Sequence, residues 1–183
     1  MFLHHMLLLA EPTLYTVKGI LIMDCIGERV LAKYYDKNLF ITSKEQSAFE
    51  KTLFNKTYKE VGGEIINVNG LTCVYKSNVE LLFYVIGSSQ ENELMLVSVL
   101  NCLYDTINQI LKKNMERKAL LDQLDIVMLA VDEICDEGIM MGADSNSVIS
   151  RIALRNDDLQ IGEQTVAQVF QSAKEQLKWS FLK

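Results

Sequence analysis

The chain has 183 residues, of which 49% are hydrophobic and 23% charged, a composition typical of a globular protein rather than a disordered one. Its length allows one domain with an appendage. Its formal net charge of −6 argues against nucleic acid, and more weakly against an anionic membrane surface, as a direct partner, because both attract a surplus of lysine and arginine.

The first predicted elements are a hairpin and a helix. Residues 14–23 are apolar enough for a strand buried on both faces, residues 24–27 form the turn, and residues 28–35 form the second strand. Thr42 and Ser43 then open a helix. Ser43 and Gln46 fit the capping-box pattern of its first turn, and the helix is expected to end near Thr57.

Three more strands are predicted after this helix. Residues 64–68 and 71–76 are short strands joined by Asn69-Gly70, a strong signal for a two-residue hairpin turn. Residues 79–86 are the most apolar run of all. We expect this fifth strand to lie centrally, because a strand covered on both faces has few polar residues.

The next predicted helix carries more apolar surface than one core contact needs. Residues 88–91, with the sequence SSQE, form a second capping box that starts it, and it extends through residues 91–111. Most polar residues after Glu93 fall in one narrow file, at Ser98, Asn101, Asp105 and Asn108. A surface helix shows the reverse, one apolar stripe and a broad polar face. Something must therefore cover the additional apolar surface.

A third helix is predicted between Asn114, its cap, and Gly138, its stop. It has one apolar stripe, made of Leu120, Leu124, Val127, Met128, Val131 and Ile134. Asp144 or Ser145 is predicted to cap a short helix that ends near residue 153, and residues 165–181 are predicted to form a final helix.

These elements predict a mixed α/β (α+β) chain. Their order is β-β-α-β-β-β-α-α, followed by a C-terminal extension with a helix, and the five-stranded, antiparallel-rich sheet is flanked by helices. The predicted organisation is an N-terminal arm at 1–13, a domain at 14–153 and the extension at 154–183. Residues 1–10 lack the basic start and cleavage site of a signal peptide. We also expect no membrane span, because no stretch has the roughly 20 apolar residues it needs.

Residues for catalysis or metal binding are few. The only histidines, His4 and His5, lie in the predicted arm, so the body has no imidazole for general-base work or zinc binding. No phosphate-binding glycine motif occurs. The four cysteines are far apart in sequence and are expected to be buried and reduced. We therefore predict a protein without cofactor or metal that is not an enzyme; a thiol enzyme would need a cysteine with a depressed pKa.

An acidic cluster lies at the C-terminal end of the third predicted helix. Asp132, Glu133, Asp136 and Glu137 lie near its C-terminal end, where the helix dipole favours cations instead. Two interpretations are open. The cluster is either a solvated surface neutralised by nearby lysine or arginine, or the docking site of a basic partner.

Six segments of the chain carry a family resemblance. They are LYTVKGILIMD (14–24), AKYYD (32–36), KEQSAFEKTLFNKT (44–57), VYKSNVELLFYVIGSSQENELMLVSVLNCLYD (74–105), LAVDEICDEG (129–138) and EQTVAQVFQSAKEQLKWSFLK (163–183). Together they resemble the zeta subunits of coatomer, the small chains of the COPI vesicle coat, within the small-subunit family of adaptor complexes. The C-terminal segment is what distinguishes this resemblance from one to the sigma chains of clathrin adaptors.

The resemblance implies a longin-like (SNARE-like) fold and a non-enzymatic coat subunit. Its implied partner is the coatomer gamma subunit, a large helical solenoid, within the rest of the coatomer complex. The implied coat is recruited indirectly by the GTPase Arf, works in retrograde Golgi-to-ER and intra-Golgi transport, and cycles from the cytoplasm onto Golgi membranes. The alternative is a sigma-like small chain that helps read dileucine-type sorting signals.

The resemblance also suggests what covers the apolar helix. Leu96, Val99, Leu103 and Tyr104 are candidates for a surface shared between the core and an interface with the large partner. The alternative is that packing within the chain covers all four. Trp179 falls off the apolar stripe of the last helix. It is either part of a frayed helix end or an anchor for the partner, because tryptophan is frequent among residues that dominate binding energy. The acidic residues Asp132, Glu133, Asp136 and Glu137 complete the predicted partner interface.

Overall fold

A five-stranded antiparallel sheet runs through the centre of the domain. The structure is a computed structural model that describes residues 14–58 and 64–154. The strands are β1 (Val17–Asp24), β2 (Arg29–Tyr34), β3 (Ile65–Val68), β4 (Leu71–Ser77) and β5 (Leu81–Ser88). They lie in the order β2-β1-β5-β4-β3, and every neighbouring pair is antiparallel. The predicted arm at 1–13 and the predicted final helix at 165–181 lie outside the described residues.

The two most apolar strands occupy the middle of the sheet. β1 and β5 pair in a register that places Leu21 opposite Tyr84 and Ile22 opposite Phe83. All four of these side chains are fully buried. Their neighbours along each strand point to opposite faces, so both faces of this pair must be covered. The prediction that the fifth strand is central is confirmed.

Tight turns connect the strands of the β1–β2 and β3–β4 hairpins. Asn69 and Gly70 have φ values of 53° and 79°, as a two-residue hairpin turn with left-handed residues requires. At the first turn, Asp24 Oδ1 accepts hydrogen bonds from the N–H groups of Ile26 (3.1 Å) and Glu28 (2.8 Å). Asp24 thereby holds its own turn together from a buried position.

Helix α1 (Ser43–Thr57) covers one face of the sheet. Its N-cap is Thr42, whose side chain accepts from Glu45 N–H while the Glu45 carboxylate accepts from Thr42 N–H. The capping box is therefore one residue earlier than the predicted Ser43–Gln46 pair. Phe49 and Leu53 are buried against the sheet, as their shared helix face indicates.

Helix α2 (Glu93–Ile110) lies on the other face and begins later than predicted. Its N-cap is Asn92, whose side chain accepts a 2.9 Å hydrogen bond from Leu94 N–H. The predicted cap Ser88 is instead the last residue of β5, where it pairs with Leu71 of β4. Ser88, which the capping pattern assigned to the start of the helix, is therefore part of the sheet.

The predicted third helix is two helices, α3 (Arg117–Asp122) and α4 (Leu124–Ile134). The chain breaks at Gln123, whose φ of −124° and ψ of 29° leave the helical region. Asn114 is not its cap. The N–H of Arg117 donates to Glu80 Oε2 at 2.9 Å, so a carboxylate from the β4–β5 turn satisfies the start of α3.

The chain after α4 forms a small hairpin and a last described helix. Strands β6 (Cys135–Asp136) and β7 (Ile139–Met140) pair with each other, so Gly138 lies in their turn and does not stop the helix. Residues 145–154 are helical and are called α5 here. Asp144 caps this helix by accepting from Ser147 N–H and Oγ–H, and these bonds hold the pKa of Asp144 below its usual range.

Three of the four cysteines are buried, and one is not. Cys73, Cys102 and Cys135 are 0–2% exposed, and burial raises the pKa of each thiol, that of Cys73 to about 12. Cys25 lies exposed in the β1–β2 turn, which corrects the expectation that all four are buried. The buried thiols stay protonated and poorly nucleophilic near neutral pH.

Alkylation should separate these two kinds of cysteine. With iodoacetamide at about pH 8, we expect one adduct per folded chain, at Cys25, and four adducts once denaturant exposes the rest. Intact-mass measurement followed by peptide mapping checks this. Rapid labelling of Cys102 or Cys135 in the folded chain would contradict the described packing.

A glycine in β5 allows α2 to approach the sheet closely. A Cβ on Gly87 would lie 2.6 Å from Leu96 Cδ1 and 3.1 Å from the backbone oxygen of Thr16. We expect Gly87→Ala to lower the free energy of unfolding by about 1–3 kcal/mol, because the core must shift to admit the methyl group. The matched control is Gly142→Ala, whose methyl group would lie 3.6 Å from a terminal nitrogen of Arg151, an ordinary van der Waals contact. Denaturant unfolding that finds the two variants equally stable would contradict this.

Candidate partner interface

The apolar surplus of α2 is taken up mostly by the chain itself. Leu96, Val99 and Leu103 are each 0–1% exposed, within the core cluster that joins the sheet to α2 and α4. A partner cannot contact side chains that are already fully covered. These three residues are therefore placed in the core, not on a surface shared with a partner.

Tyr104 lies at the edge of this core and is half-buried. Its ring packs edge-on against Phe83, with 5.4 Å between the ring centroids. Lys76 Nζ lies 4.2 Å from the Tyr104 ring centroid and 3.4 Å from Asn101 Oδ1. Of the four predicted α2 residues, only Tyr104 presents part of its side chain to solvent.

Acidic residues at and just after the C-terminal end of α4 line a surface groove. This acidic groove has a volume of about 470 Å3 and lies where α4, the β6–β7 hairpin and α5 meet. Its lining residues are Asp132, Glu133, Asp136, Met141 and Arg151. The structure thus brings three of the four predicted acidic residues to one place.

Glu133 is buried and held by the arginine of α5. Arg151 Nε donates to Glu133 Oε2 at 2.7 Å, and a terminal nitrogen of Arg151 donates to the Glu133 backbone oxygen at 3.1 Å. The same guanidinium therefore neutralises the carboxylate and satisfies a carbonyl at the C-terminal end of α4. The positive charge of Arg151 is consequently engaged within the chain.

Asp132 lies on the outer side of the same helix end and pairs with Lys33 of β2. Lys33 Nζ also lies 5.3 Å from the ring centroid of Tyr35. The Tyr35 hydroxyl donates to the backbone oxygen of Cys135 at 3.1 Å. Burial raises the pKa of Tyr35 well above its usual range, so the phenol remains a donor at any physiological pH. These contacts fix α4 to the edge strand.

Asp136 and Glu137 are exposed and take no part in these ion pairs. Neither forms a salt bridge with any side chain in residues 14–58 or 64–154. Glu137 has a φ of 46° and Gly138 a φ of 90°, which makes a tight β6–β7 turn. The Val17 N–H donates to Gly138 O at 3.0 Å, and a Cβ on Gly138 would lie 2.6 Å from Val17 O. The hairpin is thereby anchored to β1.

Two exposed methionines next to the acidic groove were missed by the sequence analysis. Met128 was assigned to the apolar stripe, but it is 55% exposed while Val127 and Val131 are buried. Met141, directly after β7, is 57% exposed. For Met128 a signal existed, because Val127, Val131 and Ile134 already fill the buried stripe at helical spacing.

Within residues 14–58 and 64–154 no group of histidine, cysteine and carboxylate side chains could hold a metal ion. Over the same residues no helix is long and apolar enough to span a membrane. Trp179 lies outside the described residues.

Comparisons with known proteins agree on the family. The family model of the clathrin adaptor complex small chain matches residues 16–159. Coatomer subunit zeta-1 of Homo sapiens is 56% identical over 176 residues, which cover 96% of this chain and 98% of that protein. Coatomer subunit zeta-1 of Arabidopsis thaliana is 38% identical over 91% of this chain and 97% of its own length.

A structural comparison supports the fold. A chain in a homology model of the full-length AP-3 complex in a stretched open conformation superposes with a TM-score of 0.61, over 81% of this chain and 98% of that one. At 14% identity this likeness concerns the fold alone, and it confirms the longin-like architecture expected from the sequence. Sequence and fold together show that the chain belongs to the clathrin adaptor small-chain family and, within it, to the zeta subunits of coatomer.

Proposed function

We propose that this chain is a non-enzymatic small subunit of the COPI vesicle coat, held by the coatomer gamma subunit. The observation that carries the proposal is the 56% identity to a coatomer zeta-1 subunit over nearly the full length of both chains. Identity at this level over 96% of this chain and 98% of that protein is far more than a shared fold requires, as the 14% identity of the structural neighbour shows.

The physical character of the domain is consistent with this role. The sheet is covered on both faces by the chain's own helices, which gives a rigid body for a larger partner to hold. The described cysteines that are buried have raised pKa values, which does not suit a nucleophile. Association is therefore the activity that the surface of this domain supports best.

In the proposed role the chain is cytoplasmic and reaches Golgi membranes only through the assembled coat. The rest of the coatomer complex and the GTPase Arf, which acts indirectly, are its further partners. The transport steps are retrograde Golgi-to-ER and intra-Golgi traffic. The acidic overall charge of −6 suits an indirect attachment, since an anionic leaflet attracts basic surfaces.

Co-expression with candidate large chains tests the proposal. We expect the full chain to co-purify with the solenoid trunk of a coatomer gamma subunit as an equimolar complex on a sizing column. The matched control is the trunk of a clathrin-adaptor large chain, with which we expect no stable complex. Binding to the clathrin-adaptor trunk alone would favour the sigma-like alternative, and a monodisperse chain that binds neither would contradict the proposal.

A further inference from the structure

The outer surface beside the acidic groove combines apolar and acidic side chains. Met128 and Asp132 are one turn apart on α4 and therefore share a helix face. Asp136 and Met141 line the adjoining groove. We call these four residues the α4 surface. Methionine side chains are flexible and polarizable, and they suit contacts with a partner of irregular shape.

Negative charge is concentrated on the part of the chain that contains this surface. Residues 90–154 carry 11 acidic and 5 basic side chains. The other described residues, 14–58 and 64–89, carry 7 acidic and 8 basic side chains. The domain is therefore electrostatically one-sided, and its helical side is complementary to a basic partner.

The end of α4 is itself short of positive charge. Its last turn contains no basic residue, although the C-terminal end of a helix favours cations. Arg151 and Lys33 neutralise Glu133 and Asp132. Asp136, which also lines the groove, has no ion-pair partner among the described side chains. Because Arg151 already serves the helix end, Asp136 is the groove carboxylate with which a cation supplied by a partner would interact most favourably.

We propose that the α4 surface docks a basic, amphipathic helix of the large subunit. Lysine or arginine from that helix would pair with Asp136, and its aliphatic side chains would pack on Met128 and Met141. This inference rests on the proposed function, which supplies a helical solenoid as the partner. It assigns the contact to the α4 surface and leaves the buried face of α2 to the core.

Charge reversal tests the assignment in the full chain. We expect Asp136→Lys to weaken binding to the gamma-subunit trunk at least about tenfold, because it replaces attraction by repulsion in the interface. Met128→Asp should weaken binding similarly through loss of apolar contact. The matched control is Glu28→Lys, which makes the same charge change at an exposed carboxylate beside α1, on the opposite face. It should bind within about twofold of the unsubstituted chain.

The unfolding midpoint of each variant is measured alongside, and we expect it to be unchanged because both substituted side chains on the α4 surface are exposed. Loss of binding in Asp136→Lys and Met128→Asp, with binding retained in Glu28→Lys, supports the α4 surface. Tight binding by all variants overturns this assignment while the proposed function stands. Failure of the unsubstituted chain to bind the trunk overturns the proposed function, and this inference with it.

Discussion

The rest of the structure depends on the burial of β1 and β5 on both faces. Ile20, Leu21 and Ile22 are each 0% exposed, and so are the β5 residues Phe83, Tyr84 and Val85. An antiparallel pair of this kind is stable only if a layer of helices covers each face. Helix α1 supplies one layer, and α2 with α4 supplies the other. The close approach of Leu96 to Gly87 shows how tightly the second layer is seated.

This constraint separates the core from the binding surface. Because the sheet needs α2 as cover, most apolar side chains of that helix are used inside the chain, and its solvent-exposed apolar surface is chiefly Leu94, Met95 and the edge of Tyr104. The side chains proposed to bind the partner lie on the outside of α4 and around the acidic groove. Around the groove, the three carboxylates outnumber the two cations that pair with them, so negative charge remains unneutralised. A domain that buries its core with its own helices and carries unneutralised carboxylates on its surface is suited to binding a partner with a basic surface.

The sequence predicted the sheet well and the helix boundaries less well. Continuous apolar runs and the Asn69-Gly70 turn were sufficient to predict the strands, because a short apolar run bounded by turn residues fits a strand buried on both faces. Capping patterns were ambiguous, since Thr42 and Ser43 both precede an acceptable partner by three residues. Ser88 failed as a cap because its pairing with Leu71 extends β5. No proline or glycine lies near Gln123, so the break between α3 and α4 could not be predicted from the sequence. Whether α2 would be covered by the chain or by a partner depends on tertiary packing, which helical periodicity does not contain.

Hydrogen exchange tests most directly the claim that the core is complete without a partner. Amide exchange is followed by mass spectrometry for the full chain alone and with the gamma-subunit trunk. We expect β1, β5 and α2 to exchange slowly in the free chain and to change little in the complex, while residues 132–141 gain protection on binding. Rapid exchange of α2 in the free chain, with protection acquired only in the complex, would contradict the account, because the partner would then be completing the core.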